Sequence, residues 1–157
     1  MKVCFYEDNF IEMEKPSMFL AGPTPREKGV QSWRDEAIKI LQELNYDGAV
    51  YIPESKTRVQ GAEVLPFEEI VEWEQSRLNS CRAIVFWIPR EIKHMPAFTT
   101  NVEFGIYYKK GNVAYGRPKN APKCKYLDYI YTRDVNEQPC ETLKDTLSKA
   151  VAIATKK

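Results

Sequence analysis

The sequence predicts a doubly wound α/β domain, a mainly parallel sheet with helices on both faces. Three observations predict it. Strand-like and helix-like segments alternate along the chain. Residues 83–88 (AIVFWI) form an unbroken apolar run, which suits a strand buried on both faces. Glycine and proline mark the segment ends, as at Gly22-Pro23, Pro53 and Gly111.

The elements follow in order. Residues 3–6 make a short edge strand. Residues 17–21 form a strand that stops at Gly22-Pro23. Ser32 is an N-cap, with Asp35 at the third helical position. That helix runs to about Asn45, with Ala37, Ile38, Leu41 and Leu44 on one face. Residues 49–52 form the next strand. Pro66 opens a helix that runs to about Cys81. After the 83–88 strand, residues 100–110 form a helix ended by Gly111. Residues 113–115 are a strand, and 126–131, rich in tyrosine, read as another. Residues 142–154 close the chain as a helix, with Leu143, Leu147, Val151 and Ala154 on one side. A length of 157 residues without a repeat or long linker fits a single domain, residues 1–157.

Charge excludes several classes of function. With 23 basic and 22 acidic residues the net charge is +1. Neither a nucleic-acid backbone nor an anionic membrane is an expected partner. No apolar run spans a bilayer, and residues 1–10 lack a signal-peptide pattern. Cys4, Cys81, Cys124 and Cys140 are far apart and form no zinc or disulfide framework, and His94 is the lone histidine. A cytoplasmic protein without metal or cofactor is the simplest expectation.

In doubly wound sheets, ligands bind at the carboxyl ends of the strands. Four segments are therefore expected on one rim: 22–26, 53–54, 89–101 and 116–118. Two glutamates stand out near it. Glu74 falls amid the helical stripe Phe67, Ile70, Val71, Leu78 and Cys81. A carboxylate there needs a partner, a raised pKa or a cavity. The structural alternative is a buried ion pair with Arg77 or Arg34. Glu103 has two readings. In one, Thr100-x-x-Glu103 is a capping box. In the other, Glu103 is an ionised carboxylate at a helix start on the rim, able to attack an anomeric carbon. Gly105 lets that helix lie close to the sheet. Paired carboxylates are common equipment for cleaving glycosidic bonds.

Several segments together resemble the nucleoside 2-deoxyribosyltransferase family, in its short bacterial and phage branch. They are residues 19–26 (FLAGPTPR), 32–34 (SWR), 72–74 (EWE) and 99–105 (TTNVEFG). The resemblance runs from about Ser17 to Leu127. It implies a flavodoxin-like, Rossmann-like sheet, with Glu103 as nucleophile and Glu74 positioning the substrate or handling the proton of the leaving base. It implies that Gly22, Pro23 and Thr24 border the substrate and that Asn101, with Thr100 beside it, lies near the sugar. Arg34 and Trp33 are further binding candidates, Trp33 as a stacking surface. It implies no cofactor, a nucleoside or nucleotide substrate, and a homo-oligomer, dimer or larger. Tyr126, Tyr129 and Tyr131 are candidates for that contact. Two positions depart from the family pattern: Ala97 and Arg82 stand where aspartates are usual.

The implied reaction is a double displacement with net retention. A second base as acceptor makes the protein a transferase, and water makes it an N-glycosidase. One rival is hydrolysis of a nucleoside 5′-monophosphate or another N-riboside, with Arg26, Lys28, Arg34 and Arg117 as phosphate candidates. Another is a non-catalytic nucleotide-binding module.

Overall fold

The alternation of side chains along each strand feeds two separate cores. Phe19, Ala21, Ile84 and Phe86 point to one face of the sheet, and Met18, Leu20, Val85 and Trp87 to the other. A computed structural model describes residues 1–8, 16–26, 29–57 and 65–156. Its elements are β1 (Lys2–Cys4), β2 (Ser17–Ala21), α1 (Trp33–Glu43), β3 (Ala49–Tyr51), α2 (Phe67–Ser80), β4 (Ala83–Trp87), α3 (Phe98–Tyr107), β5 (Val113–Gly116), α4 (Lys125–Val135) and α5 (Leu143–Thr155). The five strands run parallel in the order β1-β3-β2-β4-β5. This is the doubly wound, flavodoxin-like α/β arrangement, and β4 is buried along its whole length.

Helices α2, α3 and α4 cover one face through Trp73, Leu78, Phe104, Tyr107, Ile130 and Tyr131. Helices α1 and α5 cover the other through Trp33, Ala37, Leu41, Leu143, Leu147 and Ala150. Phe104 is the pin of α3. It is fully buried and packs against Phe86, Tyr115 and Tyr108 with ring centroids 5.2, 4.7 and 5.4 Å away. Truncating such a side chain costs about 3–5 kcal/mol. With Phe104 turned inward, the preceding residue, Glu103, is carried about 100° round the helix.

Four expectations need correction. Residues 126–131 belong to helix α4, not a strand. The tyrosines suggest β structure, but Leu127, Ile130 and Tyr131 are buried at helical spacing while Tyr126 and Tyr129 face outward. Tyr131 is therefore core and not a contact surface. On α1, Ile40 joins the buried face, and Ile38 packs against it partly buried. Helix α3 begins at Phe98, not Thr100, after Ala97 in a left-handed conformation (φ 62°, ψ 38°). Gly105 is exposed, and a Cβ there would meet nothing within 4 Å, so it permits no close helix–sheet approach.

Candidate active site

The site forms where the chain changes direction across the sheet, between the carboxyl ends of β2 and β4. Gly22 ends β2 because nothing larger fits. A Cβ there would lie 2.2 Å from the Trp87 carbonyl oxygen and 2.7 Å from the Trp33 ring. The loop that follows is held from below by a buried buckle. The Ser32 hydroxyl caps α1 by accepting from the Arg34 N–H (3.2 Å) and donates to Glu54 Oε1 (2.6 Å). Arg34, fully buried, pairs with the same oxygen at 2.7 Å. Its Nε and Nη2 donate to the carbonyls of Leu20 (3.0 Å) and Gly22 (2.8 Å), and Nη1, which pairs with Glu54, also lies near the Pro23 carbonyl (3.4 Å) and the Thr24 hydroxyl (3.2 Å). A buried ion pair is tolerable when its remaining donors find acceptors, as here.

Above this floor lies a cavity of ≈ 780 Å³. The 22–26 loop and Pro53 form one side, the outer half of α2 a second, and residues 96–100 with Glu103 the third. The apolar stripe of α2 thus divides. Trp73, Leu78 and Cys81 enter the core, while Phe67, Ile70, Val71 and Glu74 line the cavity. That division explains why Phe67 is 73% exposed despite belonging to the stripe.

Glu74 is held by a neighbour that the sequence did not suggest. The Tyr6 hydroxyl donates to Glu74 Oε1 at 2.5 Å. The ion pair anticipated with Arg77 or Arg34 is replaced by this bond. Arg77 instead stacks on Trp73 (4.8 Å), and Arg34 acts on Glu74 only through its charge. Burial raises Glu74 above the usual carboxylate range, opposed by the Tyr6 hydrogen bond and the Arg34 charge.

Glu103 lies on the cavity wall, half-buried, and accepts no side-chain hydrogen bond among the described residues. The capping-box reading fails. Thr100 is the third residue of α3 and Glu103 the sixth, and no side chain caps the helix. Being in the second turn, Glu103 also lies beyond the reach of the helix dipole, which fades within the first. The expectation of a readily ionised carboxylate is corrected accordingly. Burial, then the Glu74 charge, push Glu103 up to about 8, with Arg34 pulling the other way. At neutral pH Glu103 therefore keeps its proton.

The remaining candidates separate into lining and support. Gly22, Pro23, Thr24 and Thr100 line the cavity. Arg34 lies beneath it. Trp33 is 8% exposed and packs in the core, its indole N–H donating to the Pro23 carbonyl at 3.1 Å, so no ring face is left for a base. The Asn101 side chain accepts from Arg90 and is not part of the lining. Residues 116–118 are not part of this rim either. Arg117 there is committed to Asp128 at 2.8 Å. Lys28 lies outside the described residues. Arg26 is exposed on the cavity wall, over the Phe98 ring at 5.5 Å, without a carboxylate partner among the described residues. Reading the sequence put Glu54 on the rim but missed its pairing with Arg34, and it missed Tyr6 and the placement of Phe67 and Phe98 at the mouth. For Phe98 a helix start at 98 was the missing signal. Tyr6 gave no local signal at all.

Residues 15–121 match the family model described as nucleoside 2-deoxyribosyltransferase like. The chain belongs to this family. No match is found among curated proteins. The nucleoside 2-deoxyribosyltransferase-like match spans β2 to β5 and so contains Arg34, Glu54, Glu74 and Glu103. It leaves out β1, Tyr6, α4 and α5. The two departures from the family pattern differ in placement. Ala97 is on the cavity wall, whereas Arg82 precedes β4 at the opposite end of the sheet. Only the first can alter what the cavity holds.

Proposed function

We propose that the chain cleaves the N-glycosidic bond of a nucleoside, preferably a deoxynucleoside, and transfers the sugar to another base through a glycosyl ester on Glu103. The observation that carries this reading is two carboxylates, Glu74 and Glu103, on the wall of one cavity. A Glu103 oxygen attacks C1′, and the C1′–N bond breaks with its electron pair leaving on the base. The proton that Glu103 gives up passes by way of Glu74 to the departing nitrogen. Ester plus neutral base is the balanced outcome. An acceptor base then attacks C1′, the ester C–O pair returns to Glu103, and the acceptor's proton goes back to the pair. Water in the acceptor's place gives the free sugar. Two inversions retain configuration. The transition state is cationic at the sugar, and an unprotonated carboxylate stabilises it.

The cavity volume of ≈ 780 Å³ lies within the range of about 300–1,000 Å³ typical of small-ligand sites. Phe67 and Phe98 offer flat apolar faces at its mouth, where a base ring would stack. The reaction is tested by incubating the protein with a deoxynucleoside panel and following free base by chromatography. Base should appear with wild type and vanish with Glu103→Ala, and adding a second base should yield a new nucleoside. Binding without release would leave the chain a nucleotide-binding module.

Arg26 favours a second reading, hydrolysis of a nucleoside 5′-monophosphate. Its exposed guanidinium at the rim, without a carboxylate partner among the described residues, supports contact with a phosphate. Preference for monophosphates over nucleosides, lost in Arg26→Ala, would select it.

Self-association is part of the proposal. Phe98, Val102 and Ile106 recur every four residues along α3 and are 63–65% exposed. The stripe begins at the cavity mouth, so a second copy seated on it would cover the site. Light scattering should give a dimer or larger, and Val102→Glu a monomer.

A further inference from the structure

We propose that Tyr6, on the N-terminal segment outside the family match, is a positioning residue that decides which cavity carboxylate holds the shared proton. This rests on the reading of Glu74 and Glu103 as a working pair.

The N-terminal segment joins the sheet at its edge, where β1 pairs with β3. Just beyond β1, the Tyr6 N–H donates to the Glu54 carbonyl (3.2 Å), which ties the segment to the end of β3. The next residues fasten it again. Glu7 accepts from the Ser55 hydroxyl at 2.6 Å, and Asp8 pairs with Lys56 at 2.7 Å. Between these ties the Tyr6 ring stands edge-on to Trp73, centroids 5.1 Å apart. That contact aims its hydroxyl at Glu74.

Among the described residues, the groups that face this carboxylate come from three elements. Tyr6 comes from the N-terminal segment, Glu103 from α3 and Arg34 from α1. Arg34 favours ionisation of both glutamates, so its effect has the same sign on each. Mutual repulsion is symmetric and cannot distinguish them. Of the two glutamates, the Tyr6 hydroxyl bonds Glu74. A phenol that donates to a carboxylate stabilises the ionised form. Burial holds the Tyr6 proton in place by raising its own pKa. The bond therefore breaks the symmetry. Glu74 is the ionised partner, ready to receive, and Glu103 keeps the proton until a substrate arrives. Without the hydroxyl the proton would settle on Glu74 as readily, and the resting pair would lose its order.

The test is Tyr6→Phe, which keeps the ring on Trp73 and removes only the O–H. Carbon-13 NMR of carboxyl-labelled glutamates, assigned with Glu74→Gln and Glu103→Gln, reads both groups without substrate. In wild type Glu74 should titrate below Glu103. In Tyr6→Phe its midpoint should rise by about one pH unit, a tenfold gain in proton affinity, and Glu103 should lose proton occupancy at neutral pH. In the Glu74→Gln background, Tyr6→Phe should leave the Glu103 midpoint where it was. An unmoved Glu74 midpoint in a folded Tyr6→Phe protein overturns the proposal, whatever happens to activity. Because this measurement needs no turnover, it stands even if no base is released. If base is released, the kcat/KM profile of Tyr6→Phe should shift to higher pH. A merely structural Tyr6 would lower it at every pH without displacing it.

Discussion

Glu54 and Glu103 are the same residue type, both near the carboxyl ends of the strands, and their surroundings could hardly differ more. Glu54 is 5% exposed, with Ser32 and Arg34 both bonded to one oxygen at 2.6 and 2.7 Å. Glu103 faces a cavity and has no side-chain hydrogen bond among the described residues. The buckle around Glu54 satisfies its charges and holds a loop. The pair around Glu103 leaves its charges poorly served and holds a space. A folded protein tolerates the second arrangement at a cost in stability, and such costs gather where chemistry is done.

The most severe way to break this comparison is to cut the buckle. Glu54→Ala leaves the Arg34 guanidinium buried without its carboxylate, and should destabilise the fold by about 3–5 kcal/mol in urea titration. Glu103→Gln should do the reverse, abolishing base release while leaving the protein as stable as wild type or more so at pH 8. If both substitutions destabilise equally, the contrast between buckle and cavity is wrong.

The acid–base behaviour sharpens it. Glu103 holds its proton up to about pH 8 when folded and only to the ordinary carboxylate range when unfolded. Between these limits the folded state binds more protons, so stability falls as pH rises and levels off above about 8. One proton gives a slope of at most about 1.4 kcal/mol per pH unit. Denaturation midpoints of Glu103→Gln should be flatter over the same window. Catalysis adds a second signature. In the proposed reaction the pair needs one proton, so kcat/KM should be bell-shaped, with its alkaline limb near pH 8. A rate that keeps rising above pH 8 would mean the leaving base takes its proton from elsewhere.

How much of this was legible in the sequence depends on whether the signal was local. The β4 strand and the Ser32 cap were readable because burial on both faces and an N-cap each write themselves into a few adjacent residues. Glu74 was readable as an anomaly in an apolar stripe. Glu103 was readable chiefly through the family resemblance, since its own spacing suggested a cap that the helix start at Phe98 removes. The buckle was not readable, because Arg34 and Glu54 come together through the fold across 20 residues. Tyr6 and Glu74 are 68 apart. Helix α4 was misread because tyrosines carry a β preference that tertiary packing overrides.

Two glycines give the mildest version of the comparison. Gly22 lies under the cavity, where a Cβ would strike the Trp87 carbonyl at 2.2 Å. Gly105 is two residues from Glu103 on an open helix face, where a Cβ meets nothing within 4 Å. Gly22→Ala should therefore distort the loop that borders the cavity and weaken substrate binding. Gly105→Ala should stabilise the protomer by about 0.5–1 kcal/mol, since alanine restricts the unfolded chain and suits a helix interior. The two readouts part if a second copy packs on α3. Thermal unfolding at low concentration would still show the gain from Gly105→Ala, while sedimentation would show weaker association if backbones approach closely at that glycine. A stabilised protomer with unchanged association would place the contact on another part of the helix.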